Sequence, residues 1–170
     1  ETILHSTVID NNVLEATINK CLNTEIHLSL YFADEWYVPS MDYWAKREEN
    51  NTKVTPIVKS SLDVLSNWKK EGKGAHKIMC MGNESEIDTL YTSLEKEFSN
   101  EIILYRSKST YIEISHRSIS KKTAIEVLLK SNYPNLTMDN VVAFGDNYND
   151  IEMLKAVGLG VAVANANEEV

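Results

Sequence analysis

Cysteine is scarce in this sequence. Cys21 and Cys80 are the only two among 170 residues, and they lie far apart. They form no CxxC pair, and two buried, reduced thiols are expected in preference to a disulfide, as suits a cytoplasmic protein. Long apolar runs are also lacking: none reaches the roughly 18 residues of a membrane span. The start, ETILHSTVID, has neither the basic opening nor the apolar stretch of a signal peptide. Positive charge is in deficit, with 17 Lys and Arg against 25 Asp and Glu, a formal net charge of −8. Nucleic acid and anionic membrane are therefore not expected as partners, because both require a basic face. An anionic small molecule is not excluded, but a local cluster of donors would have to hold its phosphate. There is no internal repeat and no low-complexity segment. An initiator Met is absent too, and the chain is expected to begin inside a longer protein.

What is present is ordinary for a folded protein. Hydrophobic residues make up 43% and charged residues 25%, enough apolar material for a core. Strand-like and helix-like periods alternate, which indicates α/β or α+β architecture. Residues 26–32 alternate as a half-buried strand. Residues 34–43 are aromatic-rich and irregular. Val58, Leu62, Leu65 and Trp68 recur at helical spacing, with Gly72 as the stop. His76 to Met81 forms the next strand, and Gly82-Asn83 breaks it. Ser85 is the expected N-cap of a helix carrying Ile87, Leu90, Leu94 and Phe98. Residues 102–105 and 110–115 read as a strand pair around a polar turn. The expected core of this first part is Leu28, Leu62, Leu65, Trp68, Leu90, Leu94 and Phe98.

The character changes after His116. Ser120 can cap a helix carrying Ala124, Ile125, Leu128 and Leu129, ended by Pro134 and Asn135. Val141 to Phe144 is a short apolar run of the kind that forms a parallel strand buried on both faces. A helix is expected from about Asn149 to Val157, closed by Gly158, and a second buried strand over Gly160 to Ala164. This gives two regions. Residues 1–116 form an α+β module, although its first few residues can belong to the second. Residues 117–170 form a parallel βαβ piece.

Gly145-Asp-Asn-Tyr-Asn-Asp150 is the most informative segment. It lies where a buried strand gives way to a helix, and open α/β sheets bind ligands beyond the carboxyl ends of their strands. Gly145 permits a tight turn and close backbone approach. Asp146 and Asp150 supply carboxylates and Asn149 an amide. Mg²⁺ takes one or two carboxylates together with phosphate and water. Asp and Asn at a helix start also serve as plain caps, but two Asp and one Asn around a single turn point to a site.

This segment, continued by Ile151-Glu-Met-Leu154, Gly158 and Val161-Ala-Val-Ala-Asn-Ala166, resembles the fourth motif of the Cof-type branch of the haloacid dehalogenase superfamily. The resemblance implies a partial Rossmann-like core with an inserted α+β cap over residues 1–116. It implies Asp146 as a direct Mg²⁺ ligand and Asp150 as the residue orienting the shell around the metal. It places Asn149 and Asn165 beside the phosphate. Val163 stands where Met is common. Tyr111-Ile-Glu-Ile114 followed by Ser120-Lys121-Lys122 resembles the third motif. Lys121 matches its functional lysine, and Lys122 stands where that motif has Gly, so either ammonium can face the site. A lysine in a helix's first turn opposes the macrodipole, and a bound anion would reverse that penalty. Within the cap, Tyr31, Trp36, Tyr37, Trp44, Arg106 and Ser107 are candidate substrate contacts. His5, His27, His76 and His116 have no metal-ligand spacing and receive no role.

The superfamily's first motif, Asp-x-Asp-x-Thr/Val, holds the nucleophile, and no Asp-x-Asp occurs in this sequence. The second motif and the closing helix and strand also have no counterpart. An incomplete fragment is therefore expected, inactive by itself and prone to associate through the edge of an interrupted sheet. The function implied for the parent protein is Mg²⁺-dependent hydrolysis of a small phosphorylated metabolite such as a sugar phosphate. A phosphomutase of the same superfamily and a non-catalytic binding or structural fragment are the alternatives.

Overall fold

The computed structural model describes residues 2–106 and 108–170, so the candidate Ser107 lies outside the described residues. The chain divides into two compact units, Thr7–Arg117 and Ser118–Val170 together with residues 2–6. The architecture is mixed α/β, and no helix among the described residues is long and apolar enough to cross a membrane.

The larger unit is built on strands β1 (His27–Phe32), β2 (Glu35–Val38), β3 (Ile57–Val58), β4 (Lys77–Met81), β5 (Ile102–Tyr105) and β6 (Tyr111–His116). They form one sheet in the order β3-β2-β1-β4-β6-β5, with only β2 and β3 parallel. Side chains alternate across a strand. Leu28, Leu30, Ile78, Cys80, Ile112 and Ile114 therefore share one face. Helices α1 (Asn11–Cys21), α3 (Ser61–Glu71) and α4 (Glu84–Phe98) bury their apolar stripes in the same core: Val13, Leu14 and Ile18; Val64, Leu65 and Trp68; Ile87, Leu90 and Leu94. Each fully buried Leu or Ile contributes roughly 1.5–3 kcal/mol.

The opposite face carries His27, Ser29 and Tyr31 of β1 and, beside them, Trp36 of β2. Helix α2 (Tyr43–Thr52) packs there through Ala45, against Trp36 and Val38 with Tyr31 and Met41 alongside. A buried hydrogen-bonded chain fixes it. Asp42 caps α2 by accepting from the Ala45 N–H at 2.9 Å. Its other oxygen meets His27 Nδ1 at 2.8 Å, His27 Nε2 lies 2.8 Å from Ser29 Oγ, and Trp36 Nε1 donates to that oxygen at 3.0 Å. His27 thus has a structural role that its sequence position does not announce.

The smaller unit holds α5 (Lys121–Asn132), β7 (Val142–Gly145), α6 (Ile151–Ala156) and β8 (Leu159–Ala162). Ser120 caps α5 in a reciprocal pair with Thr123. β7 and β8 are parallel neighbours joined through α6, with Phe144 opposite Val161.

Several expectations need correction. Asn83, not Ser85, caps α4, its side chain accepting from the Glu86 N–H. Residues 35–38 are a strand, because Trp36 and Val38 alternate inward from Glu35 and Tyr37. Val58 belongs to β3 and is 55% exposed, and Leu62, on the outer side of α3, is 46% exposed, so neither joins the core. Phe98 packs at its margin. The Asn149–Val157 helix begins as a short 3-10 turn over Tyr148–Asp150. β7 and β8 are not buried on both faces: Val142 is 54% and Phe144 64% exposed. α6 packs against this two-stranded sheet, and Ala143, the inward residue of β7, is buried.

Both cysteines are free and buried. A hydrogen bond with Cys21, together with burial, pushes the Cys80 thiol well above its ordinary range, so it stays protonated.

Candidate functional site

All five candidate site residues, Lys121, Asp146, Asn149, Asp150 and Asn165, belong to the smaller unit. The site begins at the carboxyl end of β7, where Gly145 passes against Asp150. A Cβ at Gly145 would stand 2.5 Å from the Asp150 Cβ, so any side chain there would force the carboxylate aside. The chain then turns through Asp146 and Asn147 into the Tyr148–Asp150 3-10 turn. Asn147 starts that turn, its side-chain oxygen accepting from the Tyr148 N–H at 2.8 Å.

Asp150 is the hub. Its residue exposure is 2%. One oxygen accepts from the Asp146 N–H at 3.0 Å and the Asn147 N–H at 3.2 Å. The other pairs with Lys121 Nζ from the first turn of α5. Burial pushes this carboxyl up, but the Lys121 hydrogen bond and the two backbone donors outweigh it and hold it below its ordinary value. Asp150 is therefore ionised at neutral pH with both oxygens engaged. It is placed to orient the turn.

Lys121 reaches the loop from outside, half exposed on its side chain and anchored on Asp150. Lys122 points to other partners, Glu126 at 3.8 Å and Glu152 at 3.5 Å. The two lysines are thus distinguished by their ion pairs, and Lys121 is the one joined to the Gly145–Asp150 turn.

Asp146 is exposed at the strand end and Asn149 is half-buried in the 3-10 turn. The segment after β8 returns to the same turn. The Val163 N–H donates to the Gly145 carbonyl at 3.1 Å and the Asn167 N–H to the Asp146 carbonyl at 3.1 Å. Asn165 is exposed between these two anchors. The Asn167 side chain also donates to Asn147 Oδ1 at 3.1 Å. Asn147 and Asn167 were not among the expected site residues. Nothing in their spacing marks a pair twenty positions apart.

The donor set suits a hard cation in part. Mg²⁺ needs only one or two carboxylates when phosphate and water complete its shell, and Asp146 offers an exposed carboxylate that Asp150 does not. Among the described residues no group of three or more His, Cys, Asp or Glu forms a closed metal cage. The fit is to an open site with one protein carboxylate.

Of the candidates in the larger unit, Trp36 and Tyr37 are largely committed to structure. Trp36 is buried and bonded to Ser29, while Tyr37 donates to Glu35 at 3.0 Å and packs edge-on against Trp68. Tyr31 stacks on Trp36, and burial pushes its hydroxyl up to about 12. Arg106 pairs with Asp88 at 2.5 Å. Trp44 lies half-buried against Tyr111.

A relative from Haemophilus influenzae, provisionally named a phosphatase, is 31% identical over 134 residues, which are 79% of this chain and 50% of that protein. An HMP-PP phosphatase of Yersinia pseudotuberculosis is 36% identical over 93 residues, covering 55% of this chain and 33% of its own length. Among solved structures, a haloacid dehalogenase-like hydrolase from Bacteroides thetaiotaomicron superposes over 97% of this chain and 60% of its own, with TM-score 0.81 and 23% identity. A Thermotoga maritima protein does so over 100% and 61%, with TM-score 0.79 and 25% identity. The chain therefore spans half or less of these curated relatives and about three fifths of these solved chains. The family model described as haloacid dehalogenase-like hydrolase matches residues 1–170, and the chain belongs to that family.

Proposed function

We propose that this chain is the cap and the metal- and phosphate-facing part of the core of a phosphomonoester hydrolase acting on a small phosphorylated metabolite. The larger unit is the cap and the smaller unit the core part. The observation that carries the reading is the Lys121–Asp150 ion pair, with Asp150 also holding the Asp146 and Asn147 N–H groups. It joins an ammonium, an exposed carboxylate and a rigid turn at the carboxyl end of a parallel strand. That is the equipment for stabilising a transferring phosphoryl group. Relatives support the substrate class: one is named for HMP-PP and another, from Bacillus subtilis, for 5-amino-6-(5-phospho-D-ribitylamino)uracil.

Each residue has a distinct task. Lys121 offsets negative charge on the phosphate oxygens. Asp150 holds that ammonium and fixes the turn. Asn149 and Asn165 donate to the phosphate. Asp146 would hold Mg²⁺, which when bound supplies further charge neutralisation. The covalent route needs a carboxylate nucleophile, and no Asp-x-Asp of the family's first motif is present in residues 1–170.

The test compares residues 1–170 with a version carrying an upstream Asp-x-Asp segment and the closing helix and strand, on p-nitrophenyl phosphate and a panel of sugar phosphates with Mg²⁺. The short form is expected to give no turnover and the extended form measurable turnover. Lys121→Ala in the extended form should lower kcat/KM by about 10²–10³, with Lys122→Ala close to unchanged. Turnover by the short form, or equal effects at the two lysines, overturns the assignment.

A further inference from the structure

Both peptide groups that flank Asp146 are held at both of their ends. In the group before it, the Gly145 carbonyl accepts from the Val163 N–H at 3.1 Å, and the Asp146 N–H donates to Asp150 at 3.0 Å. In the group after it, the Asp146 carbonyl accepts from the Asn167 N–H at 3.1 Å, and the Asn147 N–H donates to the same Asp150 oxygen at 3.2 Å. A peptide group is planar, so only the rotations at Asp146 remain free between two such groups. With each plane pinned on two sides, those rotations are fixed as well. The exposed Asp146 carboxylate thus stands on a backbone with little room to swing.

The two grips have different origins. Asp150 supplies one from within the turn. The other comes from the segment after β8, whose Val163 and Asn167 N–H groups meet the two carbonyls. Backbone bonds do not select their register by residue type. A side-chain bond does: Asn167 Nδ2 donates to Asn147 Oδ1 at 3.1 Å, and that oxygen also accepts from the Tyr148 N–H at 2.8 Å. Asn167 therefore holds the turn twice, by its main chain at Asp146 and by its amide at Asn147. Within the segment, the Ala166 N–H donates to the Val163 carbonyl at 2.9 Å, which closes a tight turn around Asn165.

We propose that Asn167 is a positioning residue for Asp146: its amide on Asn147 locks residues 163–167 onto the Gly145–Asp150 turn, so that the Asp146 carboxylate and Asn165 are presented in one fixed arrangement. That Asp146 takes a divalent cation rests on the phosphatase reading; the lock itself does not. A cation held through one exposed carboxylate gains most from such support, since few other protein groups share the work of orienting it.

The test follows Mn²⁺, a paramagnetic stand-in for Mg²⁺, in ¹⁵N-labelled residues 1–170, through broadening of the Asn147 and Asn149 amide signals. The β7 and β8 amide signals establish that each variant is folded. Asp146→Ala is expected to abolish the site-specific broadening. Asn167→Ala and Asn147→Ala should each weaken the affinity about three- to tenfold, the scale of one hydrogen bond. The double variant should fall no more than about twofold below the worse single, because both changes remove the same bond. Asn140→Ala gauges loosening alone: it breaks the pair with the Thr137 N–H, 2.9 Å, at the other end of β7, and should leave the affinity within about twofold. Solvent exchange of the Asn147 amide should rise about tenfold in Asn167→Ala and stay unchanged in Asn140→Ala. Unchanged Mn²⁺ affinity in folded Asn167→Ala or folded Asn147→Ala, additive losses in the double variant, or an equal loss in Asn140→Ala would overturn the proposal. Specific binding that survives Asp146→Ala would count against the cation reading alone. The Asn147 amide then decides the lock: unaltered exchange in Asn167→Ala overturns it, and faster exchange upholds it.

Discussion

The two units differ in how much of themselves they bury. The larger one encloses a continuous core of twenty buried residues from helices, strands and connecting segments. In the smaller one the buried residues are Ala143, Gly145, Asp150 and Met153, while Val142, Phe144, Leu159, Leu128 and Leu136 are each at least 44% exposed. Apolar burial is the main favourable term in folding. The larger unit therefore has the means to hold itself together, and the smaller one depends on local devices: the Ser120 cap, the parallel β7–β8 pair and the charged hub at Asp150. The residues of chemical interest sit in the less self-sufficient unit.

The sharpest way to break this comparison is to separate the units. Residues 7–117 alone are expected to unfold cooperatively on heating, and residues 118–170 alone to show no cooperative transition, by circular dichroism and calorimetry. A cooperative melt of the short piece would show that its local contacts suffice. Next in size, Trp68→Ala should cost about 3–5 kcal/mol in chemical denaturation, as emptying a filled core does. Asp150→Asn should weaken the hub by about 2 kcal/mol, the scale of hydrogen bonds to a charged group, read as faster exchange of the Asp146 and Asn147 amides. Its pH dependence has a definite sign. The folded Asp150 carboxyl is held below its ordinary 3.8. Its stabilisation is then fully present above that value and is lost as pH falls through the folded pKa. The difference between native and Asp150→Asn proteins should accordingly shrink below about pH 4. Smallest of all, Phe144→Ser should change stability by under about 0.5 kcal/mol, as exposed substitutions do. A large loss there would mean that the open face of β7 is covered in solution.

What could be read from the sequence follows the range of the interactions. The Gly145–Asp150 turn, the parallel pairing of β7 with β8 and the Ser120 cap are encoded within a few residues, and spacing exposed them. The exposure of Phe144 was not legible, since an apolar β-branched run looks the same whether or not something covers it. Residues 35–38 and helix α2 escaped because their aromatics fit strand, helix and loop alike. Asn83 displaced Ser85 as a cap because both are good capping residues within two positions of each other, and the Asn83 side chain meets the Glu86 N–H. The His27–Asp42 and Cys21–Cys80 contacts join residues fifteen and more apart, and no local period marks them.

The His27 chain also has a kinetic side. Lifting the start of α2 would part Asp42 from His27 and leave the buried His27 Nδ1 in need of water. Partial opening is penalised almost as heavily as full opening, so the first turn of α2 should detach in one step or not at all. The Ala45 amide, held by Asp42, is the natural clock for that event. Its exchange with solvent deuterium should lag behind that of the last turn of the same helix by orders of magnitude, on a surface where a ten-residue helix would otherwise fray from both ends.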